Sequence, residues 1–144
     1  MIRGYFDQTG GSLEPKVQVG ITTPWHPLPC FIDCLVDTGA GVSLLMPEDA
    51  LGLGIQAEAL WRRLGPSAEV RVRPVGVSVS LRRMSCGYHL AHEGGAREEW
   101  SSTILVAPPE PEYYGLPSIL GWDVLRRFDL RLNAALGLVM LDSL

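Results

Sequence analysis

Cys30-Phe31-Ile32-Asp33-Cys34-Leu35-Val36-Asp37-Thr38-Gly39-Ala40 is the stretch on which the fold turns. Residues 30–36 alternate and are rich in strand formers, the pattern of a β-strand. Asp37 stands where that strand ends, at the mouth of a tight turn. The Thr38 hydroxyl can bond back to the main chain, and Gly39 permits the unusual dihedrals that a sharp turn uses. The expected product is a carboxylate fixed on rigid backbone, which is what acid–base catalysis requires.

Length and composition set the frame for this strand. A chain of 144 residues fits one domain, 1–144, and 47% apolar residues suffice for a core. Charged residues are 19%, too few for wholesale disorder. Net charge is −4 and no basic stripe runs along the chain, which argues against nucleic acid as a partner. Eleven of the twelve basic residues are Arg, a bias that reads as genomic composition. No apolar run reaches membrane-spanning length, so no membrane partner is expected. Residues 1–7 lack an apolar signal core. Cys30 and Cys34, four apart on one strand, would sit about 13 Å from each other, too far for a disulfide. Cys86 is isolated. These readings together place the protein in a reducing, cytoplasmic setting. No Cys-x-x-Cys spacing suggests a metal site.

Working outward, Lys16 to Ile21 alternates as a strand, and Thr22 to Pro29, with three prolines, reads as a loop. Val42 to Met46 reads as a third strand, and Pro47 to Leu51 as the start of a short helical turn. Glu58 to Leu64 is locally ambiguous. Val70 to Arg73 and Val77 to Leu81 alternate about Gly76, the pattern of a hairpin tip or a bulge. Tyr88 to Glu99, polar and glycine-containing, reads as a loop or arm. Thr103 to Val106 is a strand, and residues 108–117 form a proline- and acid-rich loop. Ser118 to Gly121 is a short apolar strand. Asp123 is placed to cap a helix from Val124 to Phe128, with Val124, Leu125 and Phe128 on one face. Leu130 to Asn133 and Leu138 to Leu141 form a closing hairpin. About eight strands and one short helix make an all-β barrel or sandwich pattern.

Three of these segments, in this order, resemble the retropepsin-like aspartic proteases of retroviruses and their cellular and bacterial relatives. They are Leu35-Val36-Asp37-Thr38-Gly39-Ala40, the glycine-centred Pro74-Val75-Gly76-Val77-Ser78, and Ile119-Leu120-Gly121-Trp122-Asp123-Val124-Leu125. The closing hairpin is also similar to that of the cellular and bacterial members, and the likeness covers about residues 16–142. The resemblance implies a closed all-β barrel of the acid-protease type, with one short C-terminal helix and one lobe per chain. Asp37 would be the catalytic acid. Aspartic peptidases use two carboxylates that share a proton and activate one water. Like charges that close cannot both be ionised, and the two titrate as a coupled pair. This chain has one Asp-Thr-Gly and no room for a second lobe, so the second Asp37 would come from a homodimer partner across a two-fold axis.

Further roles follow from the same likeness. Thr38 would bond across the axis, and Gly39 would lie against the backbone of an extended peptide substrate. Ala40, Gly41, Val75, Gly76 and Val77 would line that peptide, with residues 74–78 folding over it as a flap. Ile119, Leu120 and Gly121 would pass behind the Asp37 turn, the two apolar side chains beneath it and the glycine giving room. No metal or organic cofactor is implied. The chain departs from many retroviral members at two positions: an Asp two residues after the motif glycine is Gly41 here, and an Arg after the apolar-apolar-Gly strand is Trp122. Both charges of that ion pair are replaced together. The rival reading is a non-catalytic dimerisation or peptide-binding module on the same fold.

Other chemistry reads as structural. Asp37 alone could cap a turn, and Gly76 could be an ordinary hairpin glycine. His89, His92 and Glu93 lack the i, i+4 spacing of a helical zinc site. Ser43 lacks a nucleophile's glycine frame and a His partner. Cys86 reads as a small core residue, Trp25 as a surface anchor or loop packing, and Arg82-Arg83 and Arg126-Arg127 as solvated faces.

Overall fold

Period-two alternation builds most of this chain. The structure is a computed structural model that describes residues 1–72 and 78–144. In order its strands and helices are β1 (Ile2–Arg3), β2 (Tyr5–Asp7), β3 (Glu14–Thr23), β4 (His26–Val36), β5 (Leu44–Leu45), α1 (Pro47–Gly52), α2 (Ala57–Leu64) and β6 (Glu69–Val72). Then come β7 (Val79–Ala91), β8 (Arg97–Val106), β9 (Ser118–Leu120), α3 (Trp122–Leu125), β10 (Phe128–Asn133) and β11 (Leu138–Ser143). The chain is mostly β. Val17, Val19 and Ile21 on β3 and Ile32, Cys34 and Val36 on β4 point into one core, with the intervening residues of β4 turned outward or half-buried. Each fully buried aliphatic side chain of this kind contributes about 1.5–3 kcal/mol.

The strands form two sheets: β1-β11-β10, and β2-β3-β4-β9-β5-β8-β7-β6. The expected closed barrel is therefore corrected to two sheets with open edges at β2 and β6. β3 makes a further pairing with β7 through Gly20↔His89 to Thr22↔Gly87, which folds the larger sheet back on itself. Glycine at 20 permits this, because a Cβ there would lie 2.8 Å from the Phe31 ring and 3.0 Å from His89 Cβ. The packed region also starts before residue 16: Ile2 is buried and pairs with Leu141.

Several local expectations change. Pro27 and Pro29 lie inside β4, not in a loop, because the β3–β4 ladder is irregular between Ile21↔Cys30 and Thr23↔His26, where a missing N–H costs little. Residues 88–91 and 97–99 are strand, not loop. β7 and β8 form a long hairpin that runs to Ala91↔Arg97, with Cys86, Tyr88 and Leu90 buried on its inner face. The ambiguous segment becomes α2, which buries Leu60 and exposes Glu58 and Arg62. The C-terminal helix spans Trp122–Leu125, two residues earlier than expected. The expected flap segment, with Val75, Gly76 and Val77, lies outside the described residues. The strands that lead into it pair from Glu69↔Arg82 to Val72↔Val79. Among the described residues no helix is long and apolar enough to cross a membrane.

The three cysteines are free thiols. Burial pushes the Cys86 thiol up to about 12 and likewise raises the Cys34 thiol and the Tyr88 phenol. In each case the fold favours the protonated form, and the unfolded chain releases the proton. Stability contributed by these groups is whole below their unfolded pKa values, 9.0 for the thiols and 10.0 for the phenol, and falls as pH rises through them. The thiolate is the nucleophile, so Cys34 and Cys86 are expected to resist an aromatic disulfide reagent at about pH 8 until denaturant is added. Immediate titration of all three thiols in the native protein contradicts this.

Candidate active site

The acidic residue at the end of β4 is held by backbone hydrogen bonds at its N–H, its carbonyl and its carboxylate. β9 runs parallel to β4 with Leu35↔Ile119 and Val36↔Leu120, so the Leu120 carbonyl is placed to accept the Asp37 N–H, at 3.1 Å. The Ala40 N–H closes the turn onto the Asp37 carbonyl at 3.2 Å. The Gly39 N–H donates to Asp37 Oδ1 at 2.9 Å, which fixes the side chain as well. Asp37 is half-buried, while Thr38, Gly39 and Gly41 are exposed and Ala40 is half-buried.

Gly39 serves a different purpose from the one its sequence suggests. Its backbone is not among the left-handed glycines. A Cβ there would stand 3.2 Å from Asp37 Oδ1, so the glycine keeps space beside the carboxylate. Gly121 is needed for close approach: a Cβ would lie 2.6 Å from the Val42 carbonyl carbon and oxygen and 2.8 Å from the Ala40 oxygen. All of these are backbone atoms that cannot step aside. The Trp122 N–H donates to the Ala40 carbonyl at 2.9 Å, and the Asp123 N–H to that of Gly41 at 3.2 Å. The start of α3 thus holds residues 40 and 41 directly. Leu120 is fully buried in the main core, but Ile119 packs on the other face, in a second cluster with Met46, Leu81 and Leu105. Only one of the two apolar side chains lies under the turn in the main core.

Three residues contribute more than the sequence suggests. Ser43, fully buried, donates its hydroxyl to Asp123 Oδ1 at 2.7 Å and accepts the Gly121 N–H at 3.0 Å. The Ser43 N–H donates to Asp123 Oδ2 at 3.0 Å. Asp123 does accept the Val124 N–H at 3.0 Å, but it lies within the first turn of α3, whose N-cap position is Gly121. Its carboxylate mainly serves Ser43, across 80 residues. Ser118 mirrors this arrangement: its hydroxyl donates to Asp49 Oδ2 at 2.6 Å and accepts the Met46 N–H at 2.9 Å. β5 and β9 share one ladder pair, Leu44↔Ile119, and a serine–aspartate clasp extends the ladder at each end. The third residue is Trp122, whose indole N–H donates to the Thr38 carbonyl at 2.6 Å. Where the ion pair would stand, an uncharged bond now ties α3 to the turn.

The available signal for Ser43 was a polar residue inside an apolar strand, since a buried hydroxyl needs a partner. Ser43→Ala strands the Gly121 N–H and removes one of the two bonds to Asp123 Oδ1, and about 2 kcal/mol of stability is expected to go with them. Urea unfolding measures this, and an unchanged midpoint contradicts it. Among the described residues no three His, Cys, Asp or Glu side chains come together as a metal-ligand set. No protein-family model matches the chain, and no curated protein sequence matches it.

Proposed function

We propose that this chain is an aspartic endopeptidase that works as a symmetric homodimer, with Asp37 and its symmetry mate sharing one proton. The observation that supports it is the Asp37 turn itself. A solvent-accessible carboxylate is fixed by its own backbone, by β9 and by α3, so its position costs nothing to reach at the moment of reaction.

In this mechanism the ionised carboxylate takes a proton from a bound water as that water attacks the scissile carbonyl. The protonated partner donates to the carbonyl oxygen as negative charge develops there. The resulting gem-diol collapses, the nitrogen receives a proton, and the peptide bond breaks. The Thr38 hydroxyl, exposed in the single chain, joins the two turns across the axis. Ala40 and Gly41 line the peptide backbone, held in place because both carbonyls are taken by α3 and the Ala40 N–H by the Asp37 carbonyl. Activity leans to the acid side, because one member of the pair must keep its proton.

A shared site makes activity depend on association. Cleavage of fluorescein-labelled casein per mole of chain is expected to fall in proportion to concentration once the protein is diluted below its dimer dissociation constant. Constant specific activity in a sample that sedimentation shows to be monomeric would refute the shared dyad. The rival non-catalytic module is favoured instead if peptides bind and are never cut.

A further inference from the structure

Arg82 sits on β7 in the stem of the β6–β7 hairpin and does not behave as a solvated surface charge. It is half-buried, and its guanidinium carbon lies 4.2 Å from the centre of the Trp61 ring on α2. Its Nη1 donates to the Trp61 carbonyl at 2.6 Å. That carbonyl also accepts the Gly65 N–H at the end of α2, where the helix presents the negative end of its dipole. Nε is buried and has no partner among the described residues. A side chain chosen for stability alone would not leave a charged group's donor unpaired in the interior. The position of this guanidinium therefore calls for a reason other than stability.

The stem supplies that reason. β6 is an edge strand, and β7 is its one ladder neighbour among the described residues. β7 stays in the β8 ladder up to Arg82↔Val106, so what holds the stem beyond that pair is side-chain packing on its two faces. On one face Val70, Val72, Val79 and Leu81 join the second apolar cluster with Leu44, Met46 and Ile119. Leu44 and Ile119 are the ladder pair immediately before Leu120, whose carbonyl holds the Asp37 N–H. This face packs on the ladder pair that adjoins the Asp37 turn. On the opposite face, Arg82 reaches Trp61. α2 is itself strapped by a second stack, Arg63 at 5.1 Å from the Trp25 ring on the β3–β4 turn.

We infer that Arg82 is a positioning residue: its latch on Trp61 holds the β6–β7 stem against Leu44 and Ile119, the ladder pair that adjoins the Asp37 turn. The part of this that concerns substrate rests on the peptidase reading; the latch itself does not. Without the latch the stem can swing about its apolar face while the rest of the sheet stays closed.

Amide hydrogen exchange read by mass spectrometry tests the latch with no substrate present. Arg82→Met is expected to speed exchange about tenfold or more in peptides covering residues 69–72 and 79–82, with β3 and β4 unchanged. Arg82→Lys, which keeps charge but loses the planar stack, falls between. Trp61→Leu removes the stack and keeps the carbonyl; it serves if Arg82→Met does not fold, and is expected to loosen the same peptides. Unchanged exchange in the stem, or an equal rise in β3 and β4, overturns the inference, since the latter is what a merely stabilising residue gives. With labelled casein, the KM is expected to rise about tenfold and kcat to stay within about threefold. Failure of the wild-type protein to cut casein counts against the peptidase reading alone, and the exchange result still decides the latch.

Discussion

Asp37→Asn is expected to lower peptide hydrolysis at least about 10³-fold while the chain stays folded and paired. The change removes the base that would take a proton from water, in both subunits at once. It leaves the rest of the turn intact. The carboxamide oxygen can still accept the Gly39 N–H, now 2.9 Å from Oδ1, and the backbone bonds to Leu120 and Ala40 do not involve the side chain. Asp37 is half-buried and outside both apolar clusters, so the core is not touched. Casein cleavage, thermal melting and sedimentation of the variant beside the wild type measure the three parts separately. Wild-type turnover in the variant removes Asp37 from the chemistry. Peptide retention without cleavage by the wild-type protein from about pH 4 to 8, a span that covers carboxyl and imidazole titration, moves the protein to the non-catalytic reading.

Gly121→Ala is expected to be the most destabilising single methyl that can be added near the site. The new Cβ would stand 2.6 Å from the Val42 carbonyl and 2.8 Å from that of Ala40. Neither can rotate away, because the Ala40 carbonyl accepts the Trp122 N–H and Val42 leads into the buried Ser43. The strands must separate by several tenths of an ångström, which breaks the Ser43–Gly121 bond and shifts the Asp37 turn. A cost of about 3 kcal/mol, or roughly 10 °C in melting temperature, is expected. Activity is expected to fall further than stability accounts for, since the carboxylates would no longer meet in register. Gly41→Ala is the control, because nothing lies within 4 Å of its missing Cβ. Equal melting of the two variants would show that the close approach at Gly121 carries no load.

The strands with clean alternation and the turn between β4 and β5 are legible in the sequence, and so is the backbone approach at Gly121. Local alternation sufficed for the strands, with apolar side chains on one face of β3 and β4, whereas the approach at Gly121 was an expectation from the family likeness. The β7–β8 hairpin was hidden by its outer face. Gly87, His89, Glu98 and Glu99 give it a polar appearance, yet Cys86, Tyr88 and Leu90 alternate with the first two and are buried. Gly87 leaves room for β3 to pair, a tertiary need that composition does not reveal. α2 was ambiguous because eight residues, though amphipathic, are too short a stretch for the helical period to decide the assignment. The serine–aspartate clasps join residues about seventy or eighty positions apart, and no local pattern can announce such a pair. Gly39 shows the reverse case, where the right residue was found for the wrong reason: space beside a carboxylate, not a left-handed backbone.

The bond from the Trp122 indole to the Thr38 carbonyl has a consequence for the conditions under which the site keeps its shape. An exposed ion pair in that place would weaken as electrolyte screens it. A neutral donor and a neutral acceptor feel no such screening. The turn that carries Asp37 is thereby fastened independently of ionic strength, so a fall in activity at high salt would have to arise elsewhere, in the docking of substrate or in the meeting of the two chains.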